Sequence, residues 1–384
     1  MCASLKAVAA SLLLFLVPLS RADPQAVPAE CGSGASGIIA SAQKIASPEG
    51  IDLLEQVDVG DQRQWISIRG RNKQNPVLLV IHGGPGTPSM PVSWTYQAPW
   101  EDYFTVVNWD QRGVGKNAPD ADIDKLIKTT SLEQILEDGH AVIDHLRQRL
   151  GKEEVAILGF SWGSLVGVKL AERYPEKISV YVGVGQIGVL GGEELNRLEI
   201  IKAATTAGDQ AALDAMQDLG PRATADGRLN LTMIRTLRFW GQKYNGMWYG
   251  HDSLAVMTGA ATLSPLYCPA EISAFAAGSA WIAESAIMED IALADMGLVG
   301  RLEVPVVILQ GRYDLATNHD AARIWWEQLK APHKRFISFE RSAHFVMAEE
   351  PGRFFTALTT EVLPLAGGSP DFIPEPRTPV GDYR

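Results

Sequence analysis

The sharpest chemical signal in this chain is Gly159-Phe160-Ser161-Trp162-Gly163. Glycines two positions before and two after a serine suit a turn so tight that those flanking residues approach closely. The serine hydroxyl is then pushed outward as a nucleophile, and the backbone N–H of Trp162 is left to donate to an oxyanion. An apolar run at 155–160 precedes the turn, and a helix-like stretch at 165–174 follows it, ending before Pro175. That is the strand–turn–helix setting such a nucleophile needs. A second Gly-rich turn, His82-Gly83-Gly84-Pro85-Gly86, follows the apolar run 76–81 and offers bare N–H groups to the same reacting carbonyl. Phosphate binding is the competing reading, but there is no following Lys-Ser/Thr and no G-x-G-x-x-G.

A serine of this kind needs a base, and the base needs an orienting carboxylate. Of seven histidines, His344 lies in Arg341-Ser342-Ala343-His344-Phe345, between the last expected strand and a helical run. A Ser…Asp…His chain order would place the base there. Asp314 follows the expected strand 304–309 through Gln310-Gly311-Arg312-Tyr313. The rival position, after the strand ending near Val184, holds Gly185 and Gln186 and no carboxylate.

The hydrophobic pattern supplies the elements that must position these residues. Ile66 and Ile68 alternate with Ser67 and Arg69, as in a half-exposed strand. Runs at 76–81 and 155–160 are apolar, 104–109 is mostly so, and all three predict strands buried on both faces. Further strands are expected at 179–184, 304–309 and 335–339. Thr130-Ser131-Leu132-Glu133 offers a capping box for a helix carrying Leu132, Ile135, Leu136, Ala141, Val142, Ile143 and Leu146. Strands alternating with helices imply a mainly parallel sheet covered on both faces. Residues 187–300 break the rhythm: they are helix-like and carry Trp240, Tyr244, Trp248, Tyr249, Phe275 and Trp281. So long a stretch is no plain loop and reads as an inserted helical cap, its aromatics mostly cap core. The core is then 51–186 with 301–366, flanked by a Pro/Ala/Ser/Gly-rich arm at 23–50 and a Pro-rich tail at 367–384.

Composition bounds the function. The chain has 384 residues, 46% hydrophobic and 21% charged, which is ordinary for a globular protein. Its net charge is −11 with no Lys/Arg run, so a phosphate backbone would be repelled and nucleic acid is excluded as a partner class. Lys6, the apolar stretch 7–19, and small residues at Ser20 and Ala22 (or at Val27 and Ala29) form an export signal. The stretch falls short of the ~20 residues of a spanning helix, so an uncleaved anchor is the lesser alternative. Cleavage after Ala22 would put the protein in the periplasm or outside the cell, with no stable membrane partner. The three cysteines, Cys2, Cys31 and Cys268, lack the spacing of a zinc cluster. Cys31 and Cys268 survive cleavage, and whether they pair is open.

Four ordered motifs together resemble a known family. They are His82-Gly83-Gly84-Pro85-Gly86, Trp109-Asp110-Gln111-Arg112-Gly113-Val114-Gly115, Gly159-Phe160-Ser161-Trp162-Gly163 and Gly311-Arg312-Tyr313-Asp314. Over about 55–186 and 300–363 they look like the α/β-hydrolase branch containing prolyl aminopeptidase (proline iminopeptidase). The resemblance implies an α/β-hydrolase fold with a helical cap and a Ser161–His344–Asp314 triad. It also implies oxyanion donors from Gly84 and Trp162, no metal, no cofactor, and a structural role for the 110–115 turn. Peptidases of this branch clamp the substrate's free ammonium with cap carboxylates, because a buried ammonium must be paired. Either Glu193 or Glu194, at the cap entrance, could serve, although a helix dipole also favours acidic residues in a first turn. Phe160 stands where these peptidases usually have glycine, and Gly185-Gln186 where they carry Leu-Arg-Gly. The expected function is an exported serine hydrolase, first an aminopeptidase acting on a small peptide. A cap-gated esterase or amidase on small acyl substrates comes second, and a non-catalytic binding protein last. Epoxide hydrolases and dehalogenases share the fold but place aspartate where this chain has Ser161.

Overall fold

Runs that are apolar on both faces have to be covered from both sides, and that demand organises the molecule. A computed structural model describes residues 34–368. The expected export signal at 1–22, Cys31, and the tail from 369 onward lie outside the described residues. A short helix, α1 (Gly34–Ala42), occupies part of the expected arm and buries no residue. Just after it, Gln43 ties the arm down through Nε2 to Trp94 O (2.7 Å).

The sheet comprises β1 (Ile51–Val59), β2 (Gln62–Gly70), β3 (Val77–Ile81), β4 (Thr105–Trp109), β5 (Val155–Phe160), β6 (Ile178–Val184), β7 (Val306–Gly311) and β8 (Lys334–Phe339). Their spatial order is β1-β2-β4-β3-β5-β6-β7-β8. The β1–β2 and β2–β4 pairs are antiparallel and all others are parallel. Every residue of β3, β4 and β5 is buried, including the polar Thr105 and Asn108 of β4, the latter donating to Gln97 Oε1 (2.6 Å). Alternation divides them between two cores: Val155 and Ile157 join one, while Ala156, Leu158 and Phe160 join the other.

The first core is covered by α3 (Leu132–Leu150), α4 (Trp162–Arg173) and α11 (His319–Gln328). The second is closed by Tyr96 and Trp100, by α12 (Val346–Glu349) and by α13 (Pro351–Ala357). A short α2 (Ile123–Thr129) precedes α3.

Two local expectations shift. Strand β1 was not anticipated, because its register turns Glu55 inward among apolar residues, where it is fully buried. Glu55 is reached there by His145 (3.4 Å) and Arg149 (3.7 Å). The cap of α3 sits one residue later than expected. Ser131, not Thr130, accepts from the N–H of Gln134 (3.2 Å), while Thr130 ends α2 and Glu133 pairs with Arg173.

Between β6 and β7 the chain forms α5 (Gly192–Ala207), α6 (Gln210–Gln217), α7 (Leu231–Lys243), α8 (Ala255–Thr262), α9 (Pro269–Gly278) and α10 (Ile287–Ala292), with no strand of the sheet. Trp281 is buried, and Trp240 and Tyr244 pack in a small core of this insert. Trp248 and Tyr249 instead stack on Phe345 and Tyr313, 5.9 and 4.9 Å between ring centres. The side chain of Phe275 lies outside the described set.

Polar groups fasten the insert to the core. Lys116 Nζ donates to both oxygens of Glu271 (2.7 and 2.8 Å), and the Tyr267 hydroxyl donates to Asp110 Oδ2. Asp110 is fully buried, and its Oδ1 has no partner. Burial pushes its carboxyl up to about 7 against the pull of the Lys116 N–H and Tyr267. Cys268, beside Tyr267, is disulfide-bonded.

A second buried network lies beneath. Asp138 on α3 accepts from Arg112 Nε (2.6 Å) and Nη2 (2.7 Å), from Gln64 (2.8 Å) and from Gln134 (3.1 Å). Arg112 and Asp138 are each 1% exposed, so removing Asp138 leaves a buried guanidinium with only the more distant Asp61 (3.8 Å) as counter-ion.

Two outcomes follow. Asp138→Ala should lower the unfolding free energy in urea by about 3–5 kcal/mol, whereas Glu133→Ala, which breaks an exposed pair, should cost roughly 0–1 kcal/mol. Asp110 has a folded value raised above its ordinary one, so its contribution to stability is complete at low pH. That contribution is lost as pH rises through about 7. Asp110→Asn keeps the neutral form at every pH, and its melting temperature should fall less than that of wild type between pH 5 and about pH 8.

Candidate active site

Ser161 is the single residue between β5 and α4. Its backbone sits at φ 54°, ψ −119°, a conformation that costs a non-glycine residue energy and persists only where the surroundings enforce it. Ser161 N donates to Val184 O (2.9 Å), and Ser161 O accepts from Ser164 N (2.8 Å) and Ser164 Oγ (2.6 Å). The flanking glycines have a measurable reason. A Cβ on Gly159 would lie 2.3 Å from Gly163 O, and one on Gly163 would lie 2.0 Å from Ile81 O.

His344 and Asp314 meet across the loops that follow β8 and β7. His344 Nδ1 is 2.8 Å from Asp314 Oδ2, and both residues are buried. The Asp314 carboxylate is fully engaged. Oδ1 accepts from the N–H groups of Ala316 and Thr317 (both 2.8 Å), and Oδ2 accepts from Thr317 Oγ1 (2.9 Å) and Gln310 Nε2 (3.1 Å). With its oxygens so occupied, the carboxylate holds one orientation toward the imidazole. Glu349 and Glu350 secure the histidine loop, accepting from Ala343 N (2.7 Å) and from Ser342 Oγ (2.8 Å).

The Phe160 ring, one residue before Ser161, lies 4.9 Å from the His344 ring. Both departures from the family pattern therefore have a physical setting. Phe160 packs on the imidazole. Gly185 leaves room for it, since a Cβ there would come within 3.0 Å of His344 Cε1. Gln186 is fully buried, taking the Tyr181 hydroxyl (2.6 Å) and donating its N–H to Gln310 Oε1 (2.7 Å).

The His82 turn lies against the serine: a Cβ on Gly83 would be 3.1 Å from Ser161 Cβ. Gln111 N donates to His82 Nε2 (3.2 Å), so the other ring nitrogen carries the proton and donates to Gly83 O (2.9 Å). Burial pushes His82 down to about 4, which keeps the ring neutral. The Gln111 side chain joins this turn to α4 by accepting from the Trp162 indole N–H (3.2 Å). Among the described residues the Gly84 N–H donates to no backbone carbonyl, and Trp162 N opens α4 ahead of any helical carbonyl.

Glu193 and Glu194 do not join this group. Glu193 is paired with Arg222, and Glu194 with Arg197 (2.7 Å). Both line a cavity of about 580 Å³ beside α5, α6 and α7 that includes none of Ser161, Asp314 and His344. A carboxylate already neutralised by guanidinium is a poor partner for a substrate ammonium, and the alternative, acidic residues in a helix's first turn, describes both positions. Sequence reasoning missed Thr317, Gln310, Gln111 and Glu349. Gln111 lay inside a quoted motif and Gln310 in the run leading to Asp314, while Thr317 and Glu349 carried no local signal. Among the described residues, no group of three or more His, Cys, Asp or Glu is arranged to hold a metal ion.

Residues 76–351 match the family model of the alpha/beta hydrolase fold. Over 333 residues the chain is 27% identical to the probable aminopeptidase YbaC of Bacillus subtilis, spanning 82% of this chain and 98% of that protein. A shorter stretch of 132 residues is 32% identical to the probable proline iminopeptidase of Streptomyces coelicolor, covering 34% of this chain and 38% of that one. Among solved structures, esterase RhEst1 from Rhodococcus superposes with a TM-score of 0.51 at 20% identity, over 81% of this chain and 97% of that chain. That likeness concerns the fold alone. The family match and the sheet order agree: the chain belongs to the α/β-hydrolase family, and within it resembles the prolyl aminopeptidase branch.

Proposed function

We propose that this hydrolase is a serine aminopeptidase, releasing an N-terminal residue through an acyl-enzyme on Ser161. The observation that carries the reading is the strained Ser161 turn, packed through Phe160 against a His344 imidazole that Asp314 holds at 2.8 Å. In this reading His344 Nε2 takes the Ser161 proton as the hydroxyl attacks the acyl carbon, and then gives it to the departing amine. Asp314 keeps the proton on Nδ1 and steadies the imidazolium. The N–H groups of Gly84 and Trp162 receive the oxyanion. Water, activated by the same histidine, then releases the acid. Small peptides are the substrate class, supported by the aminopeptidase and iminopeptidase relatives.

A second reading, an esterase or amidase on small acyl substrates, uses the same three residues. It is favoured by one observation: Glu193 and Glu194 are taken up by arginines and do not stand ready to bind an ammonium. Export is part of the proposal, supported by Lys6 with the apolar stretch 7–19 and by the disulfide at Cys268, a bond that persists in oxidising compartments.

Ser161→Ala should leave a folded protein with kcat lowered by a factor on the order of 10⁴ or more; near-wild-type turnover in that variant would sink the serine mechanism. A prolyl arylamide, its N-acetyl form and a p-nitrophenyl ester separate the two readings. Cleavage of the free-amine arylamide but not its acetylated form supports the aminopeptidase. Cleavage of the ester alone leaves the esterase.

A further inference from the structure

Two sets of contacts hold the histidine loop. The first comes from the sheet. A Cβ on Gly311 would lie 1.8 Å from Ala343 O, so the peptide before His344 rests directly on the end of β7. Tyr313 N donates to Ser342 O (3.0 Å), joining that loop to the one that bears Asp314. The second set comes from the helical insert, through the turn that follows α7. Leu315 N donates to Gly246 O (2.8 Å), and His344 N donates to Met247 O (3.3 Å). The approach at Gly246 is so close that a Cβ there would lie 2.4 Å from Leu315 Cδ1. The rings of Trp248 and Tyr249 continue the contact on Phe345 and Tyr313. Residues 246–249 therefore touch the residues on either side of Asp314, His344 itself, and the residue after it.

Glu349, at the end of α12, closes this junction. Its Oε2 accepts from Ala343 N (2.7 Å) and its Oε1 from Tyr249 N (2.8 Å), so one carboxylate spans the histidine loop and the insert. Burial pushes this carboxyl up to about 7 against the pull of those two N–H groups, and the charges of Asp314 and Glu350 push the same way as burial. A third carboxylate near two others carries an electrostatic cost that an apolar brace would avoid. In return it supplies two acceptors at fixed spacing on one side chain, and bonds to an ionised acceptor are stronger than neutral ones. The ties of Lys116 to Glu271 and of Tyr267 to Asp110 also join insert to core, but they touch neither the histidine loop nor the aspartate loop.

We propose that Glu349 is a positioning residue: by clasping the insert turn 246–249 to the histidine loop, it holds His344 in the orientation from which Nε2 delivers a proton to the leaving group. The proposal rests on the reading of Ser161, His344 and Asp314 as the reacting group. In acylation Nε2 takes the Ser161 proton as Oγ bonds to the acyl carbon. It then gives that proton to the leaving oxygen or nitrogen as the bond to the acyl carbon breaks. A leaving group that departs as a stable anion does not need the proton, whereas an alkoxide or an amide nitrogen does. Glu349 acts through Ala343 and His344, so its contribution appears as a dependence on the leaving group.

The test is the ratio of kcat/KM for two esters of one acyl group, the ethyl ester and the p-nitrophenyl ester, at about pH 8, where the Glu349 carboxylate is ionised. A smaller folded fraction lowers both values equally and leaves the ratio alone, so the ratio reads proton delivery rather than stability. The acyl group is prolyl where wild type accepts that free-amine ester and acetyl where it does not. Glu349→Gln keeps one acceptor oxygen and sets an NH2 group against the other N–H. It should lower the ethyl-to-p-nitrophenyl ratio about 10-fold, a part of the ~10²–10⁴-fold that general acid–base catalysis supplies. Gly246→Ala, which drives the turn off Leu315, should lower the same ratio, and Glu271→Gln, which loosens the insert at Lys116, should not. An unchanged ratio in Glu349→Gln, or in Gly246→Ala where Glu349→Gln gives no folded protein, overturns the assignment. So does an equal fall in Glu271→Gln, or a wild type that leaves the ethyl ester uncut. Acceptance of acetyl esters alone counts against the aminopeptidase and not against Glu349, whose readout is the same. Ester turnover that survives Ser161→Ala removes both.

Discussion

Everything in the candidate site depends on one strained residue. Ser161 turns the chain from β5 into α4 with a positive φ, and the turn closes only because Gly159 and Gly163 let backbone meet backbone. The same closure brings Gly163 against the carbonyl of Ile81 and binds Ser161 N to Val184 O. The ends of β3, β5 and β6 are thereby locked together at the edge where the reacting groups gather. Parallel pairing of β5, β6, β7 and β8 then sets the histidine and aspartate loops on that same edge. In an open parallel sheet, the carboxyl ends of the strands are where such groups converge.

Around that turn, polar side chains do what apolar packing cannot. Hydrophobic burial sets which faces touch but leaves loop orientation loose, whereas a hydrogen bond specifies angle as well as distance. Gln111 joins the His82 turn to the start of α4, so the two N–H donors expected to hold an oxyanion are mechanically linked. Thr317 and Gln310 occupy the aspartate, and Glu349 and Glu350 brace the histidine loop. Asp110, Lys116, Tyr267 and Glu271 extend the bracing to the helical insert.

Much of this was legible because the relevant signals are local. Strands β3, β4 and β5 were readable since a strand buried on both faces reads as a near-continuous apolar run, interrupted in β4 only by Thr105 and Asn108. Strand β1 was not, because its inward Glu55 breaks the pattern and its partners, His145 and Arg149, come from a helix some ninety residues away. The Glu193–Glu194 pair shows the opposite failure. Its acidity was visible, but Arg222, twenty-nine residues from Glu193, could be assigned to it only by the fold.

By itself, then, the sequence determined the strand–turn–helix around Ser161, the Gly-rich turn at His82, and the chain order Ser161, Asp314, His344. Backbone sterics and hydrophobic periodicity operate over a few residues, so they are written where they act. The tertiary structure alone decided that Asp314 meets His344, that Phe160 and Gly185 shape the space around the imidazole, and that Glu193 and Glu194 are held by arginines away from the serine. Those outcomes depend on side chains far apart in sequence competing for the same partner, and that competition is settled only when the chain has folded.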